Sequence, residues 1–532
     1  MRRISVFGAT GSIGDSTLDL IRRDAGAYRV VALTAGGNIA KLARLAREFR
    51  PEVAVTAYPE RLDELRGLLA GSGIEAAAAG AGMREPAALC RGAAAGTAAA
   101  GLFAARRRAD GRAAGLTEEE DETMTVTVYT NARLVLPGSE ALSAPGSVTV
   151  RDGRIAQVGG AAPEGADTVD LGGLTLMPGL IDSHFHVVAH SLDLWDNATA
   201  PDSLAAFRAG RIMEELLDRG FTTVRDLGGA DLGLVRAVED GFVDGPDLVI
   251  CGKGLSMTGG HTDLRARTDI RPDAMGWRLG NMGVLVDGVD EIRRTCRKML
   301  KEGARFIKVM ANGGVSSPND PIDAIQYSAD EIRAMVEEAR NANTYVSAHV
   351  YHDAAIRRCV ELGVHSLEHC NLITPETARM AAEAGCIAVP TLVAYEGLKL
   401  EGAALGLGAA EQAKIDIVRD KGIESLAIMR EAGLPMAYGT DLLGQLRKYG
   451  GMEFDLLAKV LGPAEILRSV TETGAKLCRM EGEAGVIAPG ARANLIAVEG
   501  NPFADITLLG RPETHLRLVL KDGRVARDYR RA

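Results

Sequence analysis

His184 and His186 stand two residues apart in Met177-Pro-Gly-Leu-Ile-Asp-Ser-His-Phe-His-Val187. In a strand, side chains at i and i+2 leave on the same face, so both imidazoles can reach one ion. Four more residues of ligating or charge-bearing type fall at the ends of apolar runs. Lys308 lies in Arg305-Phe-Ile-Lys-Val-Met310, His349 ends Tyr345-Val-Ser-Ala-His, His369 ends Ser366-Leu-Glu-His, and Asp441 ends Met436-Ala-Tyr-Gly-Thr-Asp. Imidazole and carboxylate ligands suit Zn²⁺, with Mn²⁺, Co²⁺ or Fe²⁺ as alternatives. Each residue also has a plain structural reading. An isolated His-x-His is weak, a lysine in an apolar strand can snorkel or pair with a carboxylate, and a core histidine needs no metal. An aspartate after Gly-Thr is often a helix cap.

The order of the set along the chain carries more than its members do. Eight apolar strand candidates end near His186, Asp226, Ser256, Met310, His349, His369, Thr391 and Asp441. Amphipathic helices lie between most of them, at 203–219, 289–302, 329–342 and 375–384. Eight strand–helix units predict an α/β fold of the (β/α)8 TIM barrel type over 177–478, and a barrel gathers the strand ends into one site. Short strands at 126–136 and 147–158, and again at 494–498 and 516–520, predict a small β-sandwich made of 124–176 and 479–532.

The 532 residues exceed one ordinary domain. A hydrophobic content of 46% and a charged content of 25% are those of a soluble globular chain. The net charge of −10, with no basic stripe, argues against a nucleic-acid partner. No apolar run reaches membrane-spanning length, so no membrane partner is expected. Seven scattered cysteines without a CxxC pair fit a reducing, cytoplasmic setting.

Residues 1–76 read differently, as a βαβαβ start. Gly8-Ala-Thr-Gly-Ser-Ile-Gly14 follows a strand and opens a helix, a context suited to a pyrophosphate at a helix N-terminus. The first residues read as a strand and not as a signal peptide. Residues 77–123 are dominated by Ala, Gly and Arg and read as a linker with little fixed structure, after which Met124 would make a natural start.

The order His-x-His, Lys, His, His, Asp resembles the amidohydrolase superfamily over about 124–532, in its two-metal form. Its imidazolonepropionase-like branch, which includes Xaa-Pro dipeptidases, is most similar. Phe221-Thr-Thr-Val-Arg-Asp-Leu-Gly-Gly229, Gly259-Gly-His-Thr-Asp263 and Gly363-Val-His-Ser-Leu-Glu-His369 carry the likeness. The resemblance implies that His184, His186 and Asp441 hold the more buried ion, and His349 and His369 the more exposed one. It implies a carbamate on Lys308 as the bridge, since an ammonium would repel the metals. The ions would lower the pKa of a bridging water, and Asp441 would carry its proton to the leaving amine. His261 would stabilise the oxyanion, its plain alternative being a loop histidine with a structural bond. Tyr351 would contact the substrate's carbonyl or carboxylate, or else simply pack. Arg225 is a second candidate carboxylate contact, or a structural ion pair. His190 is a candidate pocket residue; His352 and His365 match no ligand position. The resemblance also favours a homo-oligomer acting on a small-molecule substrate.

The first 76 residues resemble the start of the NADPH-binding domain of 1-deoxy-D-xylulose 5-phosphate reductoisomerase. Thr10, Gly11, Ser12, Ile13, Gly36 and Asn38 match its cofactor positions. The likeness stops near Ala76, which leaves a partial Rossmann-like fragment with an unpaired sheet edge and an incomplete NADPH crevice. The leading expectation is hydrolysis of an amide bond in a dipeptide or N-acyl amino acid. The alternatives are a cyclic amide hydrolase of imidazolonepropionase type, an NADPH-dependent oxidoreductase acting through the first 76 residues, and an inactive metal-binding scaffold.

Overall fold

The computed structural model describes residues 2–6, 9–10, 17–19, 21–22, 28–35, 38–78, 126–315, 317 and 320–530. The chain divides into two compact units, Met1–Asp121 and Glu122–Ala532.

In the first unit four parallel strands lie in chain order: Arg2–Val6, Tyr28–Ala35, Val53–Thr56 and Glu75–Ala78. Ile39, Leu42, Ala43, Leu45 and Ala46 repeat at helical spacing and bury one face of helix Ile39–Phe49 in this unit's core. A complete doubly wound sheet has its first strand near the middle. Among the described residues Arg2–Val6 sits at an edge, as half of such a fold would leave it. The last strand runs two residues past Ala76 into the segment read as a linker. The rest of that segment, 79–123, lies outside the described residues.

The second unit has a mixed α/β fold. Its site strands are parallel and form two groups. One contains Leu180–Phe185, Phe221–Asp226 and Asp247–Ile250. The other runs Gly283–Leu285, Gly254–Ser256, Ile307–Met310, Val346–His352, Ser366–Leu372 and Ile387–Val389. Asp247–Ile250 and Gly283–Leu285 were not among the expected strands. The four expected helices are present at Asp202–Leu217, Val289–Lys301, Ala329–Asn341 and Pro375–Glu383.

No single closed ring of strand ladders runs through the two groups. The eighth expected strand, ending at Asp441, is not a regular strand: it makes one bridge, Met436 to Ala388. Thr440 gives its N–H to the Asp182 carboxylate and not to a strand carbonyl, Asp441 turns to φ 50°, and the chain packs closely at Gly439. A Cβ there would lie 2.8 Å from His184 Cβ and 2.9 Å from His184 N, so the chain passes too close for a side chain. Other bonds hold the segment instead. Ser183 N–H donates to the Tyr438 carbonyl, and the Thr440 hydroxyl donates to Asp182 Oδ2 at 2.7 Å.

The remaining strands make one eight-stranded sheet. The C-terminal strands join it through Leu495–Val498, antiparallel to Thr175–Pro178, and so do not pair along their length with 126–158 as expected. The two regions still meet: Arg154 bridges Arg492, Ile155 and Gly153 exchange backbone bonds with residues 490–493, and both regions pack around one core. Thr175–Pro178 runs on past Gly179 into Leu180–Phe185, so this sheet anchors the strand that bears His184.

Candidate active site

His184, His186, Lys308, His349, His369 and Asp441 line one cavity of about 70 Å³, together with His261 and Tyr351. The side-chain donors of His184, His186 and Asp441 lie within 4.8 Å of one another. Asp441 Oδ1 is 3.5 Å from His184 Nε2 and 3.4 Å from His186 Nε2. Each histidine's other nitrogen is committed elsewhere. His184 Nδ1 is 2.9 Å from Glu368 Oε2, and His186 Nδ1 donates to the Gly228 carbonyl at 3.0 Å. Such bonds fix the tautomer and aim the free nitrogen, as metal-ligating histidines require.

His369 Nδ1 is 2.7 Å from the Thr391 hydroxyl, which leaves Nε2 as that ring's remaining donor. The His349 and His369 rings meet at 4.7 Å, and His349 Nε2 is buried with no hydrogen-bond partner. A buried ring nitrogen with no hydrogen-bond partner, set among imidazoles, is suited to ligate a cation. Burial, reinforced by the neighbouring imidazoles, holds His349 and His369 well below the usual histidine range, so both are neutral lone-pair donors. Burial alone would raise Asp441, but the adjacent His184 and His186 outweigh it and keep the carboxylate ionised. Lys308 is 2% exposed, and burial brings its ammonium down to about 8. The donor set, neutral imidazoles with a carboxylate and a readily neutralised amine, fits divalent ions.

Backbone conformation at the strand ends is unusual. His369, Thr391 and Asp441 have φ of 78°, 50° and 50°. Non-glycine residues in this region carry strain, which the surrounding bonds must hold.

His261 stacks on His349 at 4.4 Å, and its Nδ1 is 3.2 Å from the Ser317 hydroxyl and 3.7 Å from Asp320 Oδ2. A Cβ at Gly314 would fall 1.7 Å from His261 Cε1, so that glycine lets the loop lie flat on the ring. Tyr351 packs between His349 and His369 and receives a 3.3 Å bond from the Tyr395 hydroxyl.

Arg225 takes its ion-pair alternative, His190 lies off the cavity, and His352 and His365, which match no ligand position, have structural roles. Arg225 is wholly buried and bound to Glu368, so it cannot meet a substrate carboxylate. His190 is not a cavity residue; it contacts Arg208 and, at 3.2 Å, Asp196. His352 caps the helix Asp353–Glu361 and His365 packs edge-on against Tyr345. In the first unit, Asn38 spends its amide oxygen on the N–H of Lys41, and the Thr10 carbonyl accepts from Lys41 Nζ. Gly11, Ser12, Ile13 and Gly36 lie outside the described residues.

Sequence reasoning missed Glu368, Thr391 and Tyr395 as parts of the site. Period two offered a signal for the first: Ser366 and Glu368 share the strand face opposite His369, and both reach Arg225.

Parallel strands that present imidazoles, an amine and a carboxylate from successive ends define an α/β enzyme with its chemistry at those ends. The chain belongs to the amidohydrolase family, whose model matches residues 175–527. It is thus a hydrolase of carbon–nitrogen bonds. An ochratoxinase of Aspergillus niger is 31% identical over 422 residues, covering 74% of this chain and 86% of that protein. The crystal structure of a prolidase complexed with N-methylphosphonate-L-proline is 43% identical, with a TM-score of 0.74, covering 76% of this chain and 100% of that one. The 1-deoxy-D-xylulose 5-phosphate reductoisomerase family model matches residues 4–106. The enzyme of Ruegeria pomeroyi is 62% identical over 85 residues, but the match covers 22% of its length. That likeness runs past Ala76, where it was expected to stop. Among the described residues, no helix is long and apolar enough to cross a membrane.

Proposed function

We propose that this chain hydrolyses the amide bond of a dipeptide or N-acyl amino acid with a free carboxylate, at a two-zinc site on a (β/α)8 barrel. One observation carries the reading: six donor side chains from successive strand ends line one cavity, and His349 Nε2 has no partner there. On one side Ser183 bonds Tyr438, whose neighbour Ala437 bonds Ala388 of the second group, and on the other Arg305 bonds Ile250, which supports a barrel.

His184, His186 and Asp441 would hold one ion and His349 and His369 the other, with Lys308 between them as a carbamate. Ions held there supply Lewis acidity, polarising the carbonyl and acidifying water. Burial of Lys308 raises the share of free amine, the form that reacts with CO2. Asp441 takes the proton of the attacking water and delivers it to the leaving amine. His261 meets the developing oxyanion, its ring held by Ser317 and Gly314. Tyr351 orients the substrate's polar end. Leu192, Met282, Val315, Leu398 and Leu443 give the cavity apolar walls, which suits an apolar acyl or side-chain group. The ochratoxinase and prolidase relatives support this substrate class.

The test is the purified full chain, loaded with zinc and bicarbonate, assayed on Xaa-Pro dipeptides, other dipeptides and N-acyl amino acids, with Lys308→Ala as control. Turnover that vanishes in the control supports the reading. No turnover with two ions bound moves the substrate to cyclic amides. No bound metal overturns it.

A further inference from the structure

Thr391 is the N-cap residue of helix Leu392–Glu401, yet its side chain does not cap that helix. Its hydroxyl is turned to His369 Nδ1 at 2.7 Å instead. A helix start leaves unpaired N–H groups that must find acceptors. Here a distant residue provides them. Glu453, on helix Met452–Leu457, accepts from Leu392 N–H at 3.2 Å and from Val393 N–H at 2.6 Å, one with each carboxylate oxygen. Glu453 is fully buried and is in no ion pair among the described residues. Burial pushes the Glu453 carboxyl up to about 8, and its two backbone bonds oppose that rise.

We propose that Glu453 is a positioning residue for His369, acting through Thr391. By capping the helix from outside, Glu453 frees the Thr391 hydroxyl to orient the imidazole and holds the β-branched Thr391 at φ 50°. The same helix carries Tyr395, whose hydroxyl is 3.5 Å from Thr391 Oγ1 and 3.3 Å from the Tyr351 hydroxyl, so one cap sets three cavity residues. The inference rests on the two-metal reading, in which His369 is a ligand.

Zinc affinity of the full chain, measured by competition with a chromophoric chelator, tests it without any substrate. Glu453→Gln puts an amide N–H against a backbone N–H, and Thr391→Val removes the hydroxyl at constant shape. Each should weaken one of two zinc ions by about tenfold to a hundredfold and leave the other unchanged, the range for lost outer-shell bonds. Thr391→Ser should restore most of it. The double variant should bind no worse than Thr391→Val alone, because the two act in series. Ser328→Ala removes an ordinary cap, from helix Ala329–Asn341, and should alter neither affinity. If the wild-type chain binds no zinc, the two-metal reading fails and the inference with it. If the wild type binds two ions and Glu453→Gln binds both as tightly, the inference alone is overturned, as it is if the two substitutions add.

Discussion

Arg225 and Glu368 form an ion pair in which neither side chain is exposed. Arg225 Nη1 and Nη2 lie 3.1 and 3.2 Å from the same Oε1, while Oε2 faces His184 Nδ1. Ser347 and Ser366 donate to that shared Oε1, and the guanidinium stacks 4.3 Å from the Phe306 ring centre. Glu368 is thus held ionised: burial would raise it, but Arg225, and next the bond from His184, keep it well below the carboxylate range. Removing either charge strands the other in the core. Glu368→Gln should destabilise the larger unit by about 3–5 kcal/mol, and Arg225→Met should cost a similar amount. The double variant should lose less than the sum. Denaturant unfolding of the metal-free protein measures this; additive losses would show that the two residues do not act as a pair.

Gly314 should be as sensitive as a catalytic residue, although it has no side chain. An added methyl would overlap the His261 ring, which must then turn away from the site. Gly314→Ala should lower kcat by about a hundredfold to a thousandfold, the usual cost of losing an oxyanion donor, with KM and Tm nearly unchanged. Steady-state kinetics on the substrate found by the panel decide it. An unchanged kcat would remove His261 from the chemistry.

Asp441→Asn isolates proton transfer from metal binding. The amide keeps an oxygen near His184 and His186 but cannot accept the proton of water. Turnover should fall by about a hundredfold to ten-thousandfold, with zinc still bound. Metal content measured beside kcat checks both halves; retained activity would move the general base elsewhere.

The candidate ligand residues were legible because their types fall at the ends of apolar runs, which strand periodicity reveals. What stayed hidden depends on contacts distant in sequence. Arg225 reads equally as a substrate contact or an ion pair until Glu368, in another strand, is brought against it. The segment before Asp441 reads as a strand because nothing local shows that Gly439 lies against His184. Helix Leu392–Glu401 is not among the four expected from the sequence. Leu392, Val393, Ala394, Tyr395, Gly397 and Leu398 are all buried, so no amphipathic stripe marks it, and its cap comes from Glu453.

The hydrolase should not need the first unit. Every candidate residue of the hydrolase site lies in Glu122–Ala532, which has its own cores, and the described part of Met1–Asp121 packs around a core of its own. A unit with its own core can fold alone. Residues 124–532 expressed by themselves should therefore bind zinc and turn over substrate with the kcat/KM of the full chain. NADPH added to the full chain should change neither rate nor melting temperature, because the match covers only 22% of the length of the Ruegeria pomeroyi reductoisomerase. A rise in Tm with NADPH would show that those strands form a working cofactor site, and a shorter chain that folds but loses turnover would show that the first unit serves the hydrolase.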